Sequence, residues 1–151
     1  MKRPIFSNWS ITSVTRKAAL AELLKLFSFQ KTTEELLLTA LETREQAEPT
    51  IVHNGIAMPH CRSILVDDFM IAVGKSKKGI PWPGKKVKVI ILFITPVKPS
   101  GPEEHMKLIK HLAKLLQTDG AEKLLKADSP IEAASILHFT LQESKQNEQR
   151  P

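Results

Sequence analysis

The chain has one cysteine, no tyrosine and only six glycines among its 151 residues. A lone Cys61 excludes an internal disulfide and any Cys-x-x-Cys motif, which fits a reducing cytoplasm. No apolar run approaches the ~18 residues of a membrane span; the longest, Val89 to Ile94, is strand-sized. The start, Met1-Lys2-Arg3-Pro4, is basic but lacks the apolar core of a signal peptide. A cytoplasmic protein that is not embedded in a membrane is expected. Acid is missing from one stretch: Phe69 to Pro102 contains no Asp or Glu, yet it carries lysines at 75, 77, 78, 85, 86, 88 and 98. With a net charge of +6 this invites a nucleic-acid reading. Aromatics are only 5% of residues, and no zinc-ligand spacing or base-reading motif appears. The basic stretch is therefore read as a solvated face, with no nucleic-acid partner.

What is present is the composition of an ordinary globular protein, 42% hydrophobic and 25% charged. The length is one domain's worth, enough to bury a proper core. One domain over residues 1–151 is expected, its core about 16–141 and its two ends less ordered.

Residues 1–13 read as irregular, pinned by Ile5, Phe6, Trp9 and Ile11. Leu20, Leu23, Leu24 and Phe27 recur at helical spacing, predicting a helix over Arg16–Phe27. Thr32-Thr33-Glu34-Glu35 fits a capping box, with Thr32 as N-cap. The helix it would start places Leu37, Ala40, Leu41 and then Arg44 on one stripe, an unusual position for a charge. Ile51 to His60 reads as short extended pieces around a turn at Asn54-Gly55. Phe69–Val73 predicts a strand, Gly74–Lys86 a connection, and Val87–Thr95 a central strand covered on both faces. Pro102 suits the first turn of a helix whose inward stripe is His105, Leu108, Ile109, Leu112, Leu115 and Leu116. A short helix from Thr118-Asp119 through Leu125 follows. Ser129-Pro130-Ile131-Glu132 starts a last helix through about Leu141.

Three motifs fail on chemistry. Gly79-Ile80-Pro81-Trp82-Pro83-Gly84-Lys85-Lys86 nearly matches a phosphate-binding loop, but it lacks the Ser/Thr, and its prolines remove N–H donors. His53, His60, Cys61, His105 and His111 hold no metal-binding spacing, so neither a metal nor a cofactor is expected. Cys61 is better read as a small packing residue than as a nucleophile.

Position singles out three residues. His60 follows Pro59 at the end of an extended run, Arg44 lies on an inward stripe, and His105 heads another in a first helical turn. Two imidazoles and a guanidinium around a helix N-terminus describe a phosphoryl site, since a neutral imidazole nitrogen accepts phosphate and fixed donors meet the new charge. Such a site should bring the rings of His60 and His105 within about 8 Å.

Arg44-Glu45, Thr50 and Asn54-Gly55-Ile56-Ala57-Met58-Pro59-His60 together resemble the signature of the fructose/mannitol/nitrogen-type (type 2) EIIA domains of the bacterial phosphoenolpyruvate-dependent phosphotransferase system. Val87–Pro96 resembles that family's apolar strand ending in Pro. His105-Met106-Lys107-Leu108-Ile109-Lys110-His111-Leu112-Ala113 resembles its His-led helix. The resemblance spans about Arg16 to Leu141. It implies a single compact α/β domain, a small mixed β-sheet flanked by helices. It implies an enzyme component, a phosphotransferase whose His60 is transiently phosphorylated on Nε2. Arg44 and His105 would hold the phosphoryl oxygens, and Thr50 and Asn54 would shape the pocket. A histidine-phosphocarrier protein would be the donor and a IIB domain the acceptor. In a nitrogen-type regulator, phosphorylation would instead control binding to another protein. Ile51 and His53 depart from the glycines usual around the family's turn.

Overall fold

The computed structural model describes residues 3–99 and 101–142; of the C-terminal end expected to be less ordered from Gln142 onward, only Gln142 lies within them, its N–H bonded to the Ile5 carbonyl at 2.8 Å. Seven strands form one mixed sheet with helices on both faces. The strands are β1 (Pro4–Asn8), β2 (Ile51–His53), β3 (Ile56–Ala57), β4 (His60–Ser63), β5 (Met70–Trp82), β6 (Lys85–Pro96) and β7 (Thr140–Leu141). Their order is β2-β3-β6-β5-β1-β7, and β4 continues from β3 along the same side of β6. β5–β6 and β2–β3 are antiparallel; β1 runs parallel to β5 and β7, and β3 and β4 run parallel to β6.

β6 divides the core. Val89, Ile91 and Phe93 point to one face, and Ile90, Leu92 and Ile94 to the other, as the two-residue period of a strand requires. The first face is covered by α3 (Gly101–Gln117), α4 (Gly120–Lys126) and α5 (Pro130–Ile136) through Leu108, Leu112, Leu124 and Ala133. The second is covered by α1 (Arg16–Leu24), a 3-10 turn (Lys25–Phe27) and α2 (Lys31–Ala47). The wholly apolar strand predicted at 87–95 is central and buried on both sides.

Four local expectations are corrected. The N-terminal segment read as irregular contains β1, because Ile5 enters the core while its backbone pairs with β5 and β7. Gly74–Lys86 is not a connection but the distal part of a long β5–β6 hairpin. Ile80 and Trp82 alternate inward there, Gly79 (φ +84°) falls within a register shift, and Pro83-Gly84 makes the tight turn. α2 starts at Lys31 after Gln30 with no side-chain cap, so the Thr32 capping box does not form. Phe27 and Phe29 pack 5.5 Å apart, and the helix begins as soon as the chain leaves them.

α5 ends at Ile136 and does not run to Leu141. His138 takes a left-handed φ of +59°, and the Phe139 N–H reaches back to the Ala134 carbonyl (2.8 Å), a Schellman end. That reversal buries both Leu137 and Phe139 and frees Thr140–Leu141 to pair with β1. The Ser129 cap with Pro130 forms as predicted, its hydroxyl accepting from the Glu132 N–H at 3.2 Å.

Candidate functional site

The break between β3 and β4 builds the site. Pro59 has no N–H to give the ladder, but its carbonyl still accepts from Phe93 (3.1 Å), so the chain stays registered on β6. β4 then begins at His60, opposite Phe93. The imidazole stacks on the Phe93 ring, with centroids 4.8 Å apart and planes 5° from parallel. Its Nδ1–H donates to the Met58 carbonyl at 2.7 Å. One nitrogen is thereby spent within the protein, and Nε2 keeps its lone pair. Burial is the largest cause holding the His60 pKa below its ordinary 6.5, and the Arg44 charge acts in the same direction. The bond to Met58 and the charge of Glu45 act the other way.

His105 comes from the first turns of α3. Its ring centroid is 5.4 Å from that of His60 and 5.6 Å from Phe93. Its Nδ1 is 2.7 Å from Oγ1 of the fully buried Thr95. Its pKa is also held below 6.5, by burial first and then by His60 and Arg62. A neutral ring that accepts the Thr95 hydroxyl proton at Nδ1 carries its own N–H on Nε2. The two histidines therefore meet as expected, one with a free lone pair and the other able to offer a proton.

Arg44 is placed differently from its expected stripe. It is exposed near the end of α2, and its Nη1 donates to the Glu48 carbonyl at 3.1 Å. Ala40 is exposed too, so the buried face runs Leu37, Leu41, Glu45. Arg44 is near enough for its charge to act on His60, but it works from the surface side of the helix end.

Glu45 is the charge that points inward, and it is fully buried. Its carboxylate accepts from Trp82 Nε1 (2.9 Å), Thr50 N (3.1 Å) and Thr50 Oγ1 (2.5 Å). The Thr50 carbonyl in turn accepts from Met58 N (2.8 Å). Trp82, Glu45, Thr50, Met58 and His60 thus form one hydrogen-bonded chain ending at the imidazole. Thr50 directs its hydroxyl at Glu45, so its connection to the site runs through the backbone.

Asn54 lies exposed in the β2–β3 turn. β3 pairs with β6 at Val89, four residues before the Phe93 opposite His60, about 13 Å away at a strand's rise. The structure does not bring Asn54 to the imidazoles. Gly55, at φ +92°, makes that turn possible. Cys61 faces the α1/α2 side, where burial pushes its thiol up to about 11, far from a reactive thiolate.

Sequence reasoning quoted Glu45 in the Arg44-Glu45 pair without giving it a role, and it passed over Phe93, Thr95 and Arg62. Phe93 and Thr95 were readable as alternate residues of the predicted central strand, the first set opposite His60 and the second opposite Arg62. Nothing local in the sequence marks Glu45 as the inward residue of the Arg44-Glu45 pair, because its partner Trp82 is 37 residues away. Among the described residues no group of three or more His, Cys, Asp or Glu side chains could hold a metal ion. A surface cavity of about 770 Å³ lies between Arg3, Glu104, Leu108, His111 and His138, and His60 is not part of its lining.

Residues 5–139 match the family described as phosphoenolpyruvate-dependent sugar phosphotransferase system, EIIA 2. The fructose-specific EIIA component of Haloferax volcanii is 31% identical over 104 residues, covering 66% of this chain and 66% of that protein, just under two thirds of its length. In fold, the nitrogen regulatory protein IIA-Ntr of Neisseria meningitidis superposes with a TM-score of 0.76 at 22% identity, over 87% of this chain and 92% of that one. The mannitol IIA enzyme of Escherichia coli, solved in complex with phosphorylated mannitol IIB, gives 0.64 at 15% identity, over 89% of this chain and 99% of that one.

Proposed function

This chain belongs to the EIIA 2 family of the phosphoenolpyruvate-dependent sugar phosphotransferase system, and from that premise we propose that it is a phosphoryl carrier acting through His60. The observation that carries the reading is the 2.7 Å bond from His60 Nδ1 to the Met58 carbonyl, which leaves Nε2 as the nucleophile beside His105. The donor is a histidine-phosphocarrier protein. The Nε2 lone pair forms a bond to phosphorus while the bond between phosphorus and the carrier's imidazole nitrogen breaks, and that nitrogen leaves with the electron pair. His60 keeps its Nδ1 proton throughout. The added negative charge is met by the His105 Nε2–H and by Arg44 at the end of α2. The reverse exchange, with a IIB domain as acceptor, empties the site for the next cycle.

A protein partner suits a histidine at the head of a surface strand better than a small molecule does. Among the described residues no helix is long and apolar enough to cross a membrane. Phosphoenolpyruvate is a cytoplasmic metabolite, so the reading places the chain in the cytoplasm. The 31% identity to a fructose-specific component favours sugar transfer over nitrogen-type regulation. Incubation with phosphoenolpyruvate, enzyme I and a phosphocarrier tests this. One acid-labile, base-stable phosphoryl group should be added per chain, and it should be lost in His60→Ala. Label retained in that variant would remove His60 from the reaction.

A further inference from the structure

Arg62 lies two residues beyond His60 on β4, so both side chains leave the same face of the strand. Their partners across the ladder are Thr95 and Phe93, respectively. His105 joins the two ranks, its ring 5.4 Å from that of His60 and its Nδ1 2.7 Å from Thr95. The Arg62 guanidinium rests on the first turn of α3. A side chain at Gly101 would place its Cβ 2.9 Å from Arg62 Nη2 and 2.8 Å from the Pro96 carbonyl oxygen. Glycine at 101 is therefore what lets the guanidinium lie there.

Among the described residues Arg62 has no ion pair, and none of its N–H groups has a hydrogen-bond acceptor. Its first-turn neighbours Glu103 and Glu104 do not pair with it; Glu103 is 3.6 Å from Lys107. The other arginine near the site, Arg44, already has a carbonyl partner. An arginine with its donors unspent, held against the helix N-terminus that carries His105 and on the same strand face as the acceptor His60, matches a group with three negative oxygens.

We infer that Arg62 binds the phosphoryl group carried on His60, donating to its oxygens alongside the His105 Nε2–H. This rests on His60 being the acceptor. Arg62 keeps its proton and takes no part in bond making; it favours the phosphorylated state over the free one. Its loss should shift the exchange equilibrium toward the donor by about tenfold, the effect of one exposed charge-assisted contact.

The test is the equilibrium constant for phosphoryl exchange with a phosphocarrier, measured by 31P NMR for wild type, Arg62→Ala and Arg62→Lys. The pH titration of the bound phosphoryl group is followed in the same samples. Arg62→Ala should move the equilibrium about tenfold toward the carrier and raise the pH at which the phosphoryl dianion takes up a proton to become the monoanion, with Arg62→Lys recovering part of both. Phosphorylated wild type and Arg62→Ala with the same equilibrium constant and titration would overturn the inference while leaving His60 as acceptor. So would an effect confined to KM for the carrier, which would make Arg62 a docking residue. Wild type that takes no phosphate on His60 would overturn both readings.

Discussion

Glu45 and Thr50 are joined twice, carboxylate to backbone N–H at 3.1 Å and carboxylate to hydroxyl at 2.5 Å, and the same carboxylate takes the Trp82 indole N–H at 2.9 Å. The two contacts to Thr50 hold the chain leaving α2, and the one to Trp82 ties it to the distal hairpin. From there the backbone bond of Met58 to Thr50 sets the carbonyl that orients His60. A buried acid on one face of the sheet thus positions an imidazole that faces the other.

Glu45→Ala leaves three donors, the buried Trp82 indole N–H and the part-buried Thr50 N–H and hydroxyl, without their acceptor and should cost about 3 kcal/mol of stability. Glu45→Gln keeps one acceptor oxygen, and the Thr50 hydroxyl can turn to receive its amide, so its cost should be nearer ~1 kcal/mol. Urea unfolding of both variants checks the difference. Equal, small losses would mean that the three bonds do not hold this segment.

His105 should work as a hydrogen-bond donor whose orientation depends on Thr95. His105→Ala should slow transfer from the phosphocarrier by about 10- to 100-fold, whereas His105→Gln, which can still donate, should lose less. Thr95→Val removes the partner of Nδ1 and should weaken transfer, and Thr95→Ser should restore it. Rapid-quench measurements with the four variants separate these roles. Wild-type rates in His105→Ala would reduce the residue to packing.

The pattern of what was readable follows from the range of the interactions. Pro59-His60, the inward stripe led by His105 and the apolar run at 89–94 are local signals, and the structure realises each of them. Arg44 was misplaced because one helical turn admits both an i+3 and an i+4 reading, and only the packing of Trp82 chooses Glu45 as the inward residue. The Gly/Pro/Lys composition of 74–86 concealed a strand whose apolar contacts, Ile80 and Trp82, face a helix distant in sequence. β7 was hidden because its two residues gain their structure from β1, at the other end of the chain. Asn54 was drawn to the site by its neighbourhood in sequence, and the direction of β3 carries it away.

Acid should act on both histidines. Each titrates below 6.5 in the fold, chiefly through burial, so the unfolded chain takes up protons first as pH falls. Stability should therefore decline from about pH 6.5 downward until the lowered folded values are passed, and these groups should contribute no slope above about pH 7.5. Urea midpoints over this range, for wild type and for a variant with both residues replaced by Gln, provide the check. The variant should show a flatter dependence; identical slopes would mean that other groups set the acid response.

The most direct measurement of the central claim is the site of the phosphate on the His60 ring. Two-dimensional 1H–15N NMR of the phosphorylated protein distinguishes Nε2 from Nδ1 through the couplings of each nitrogen to the ring carbon protons. The bond from Nδ1 to Met58 requires the phosphoryl group on Nε2, with the Nδ1 proton still present. Phosphate on Nδ1, or on any residue other than His60, would contradict the account.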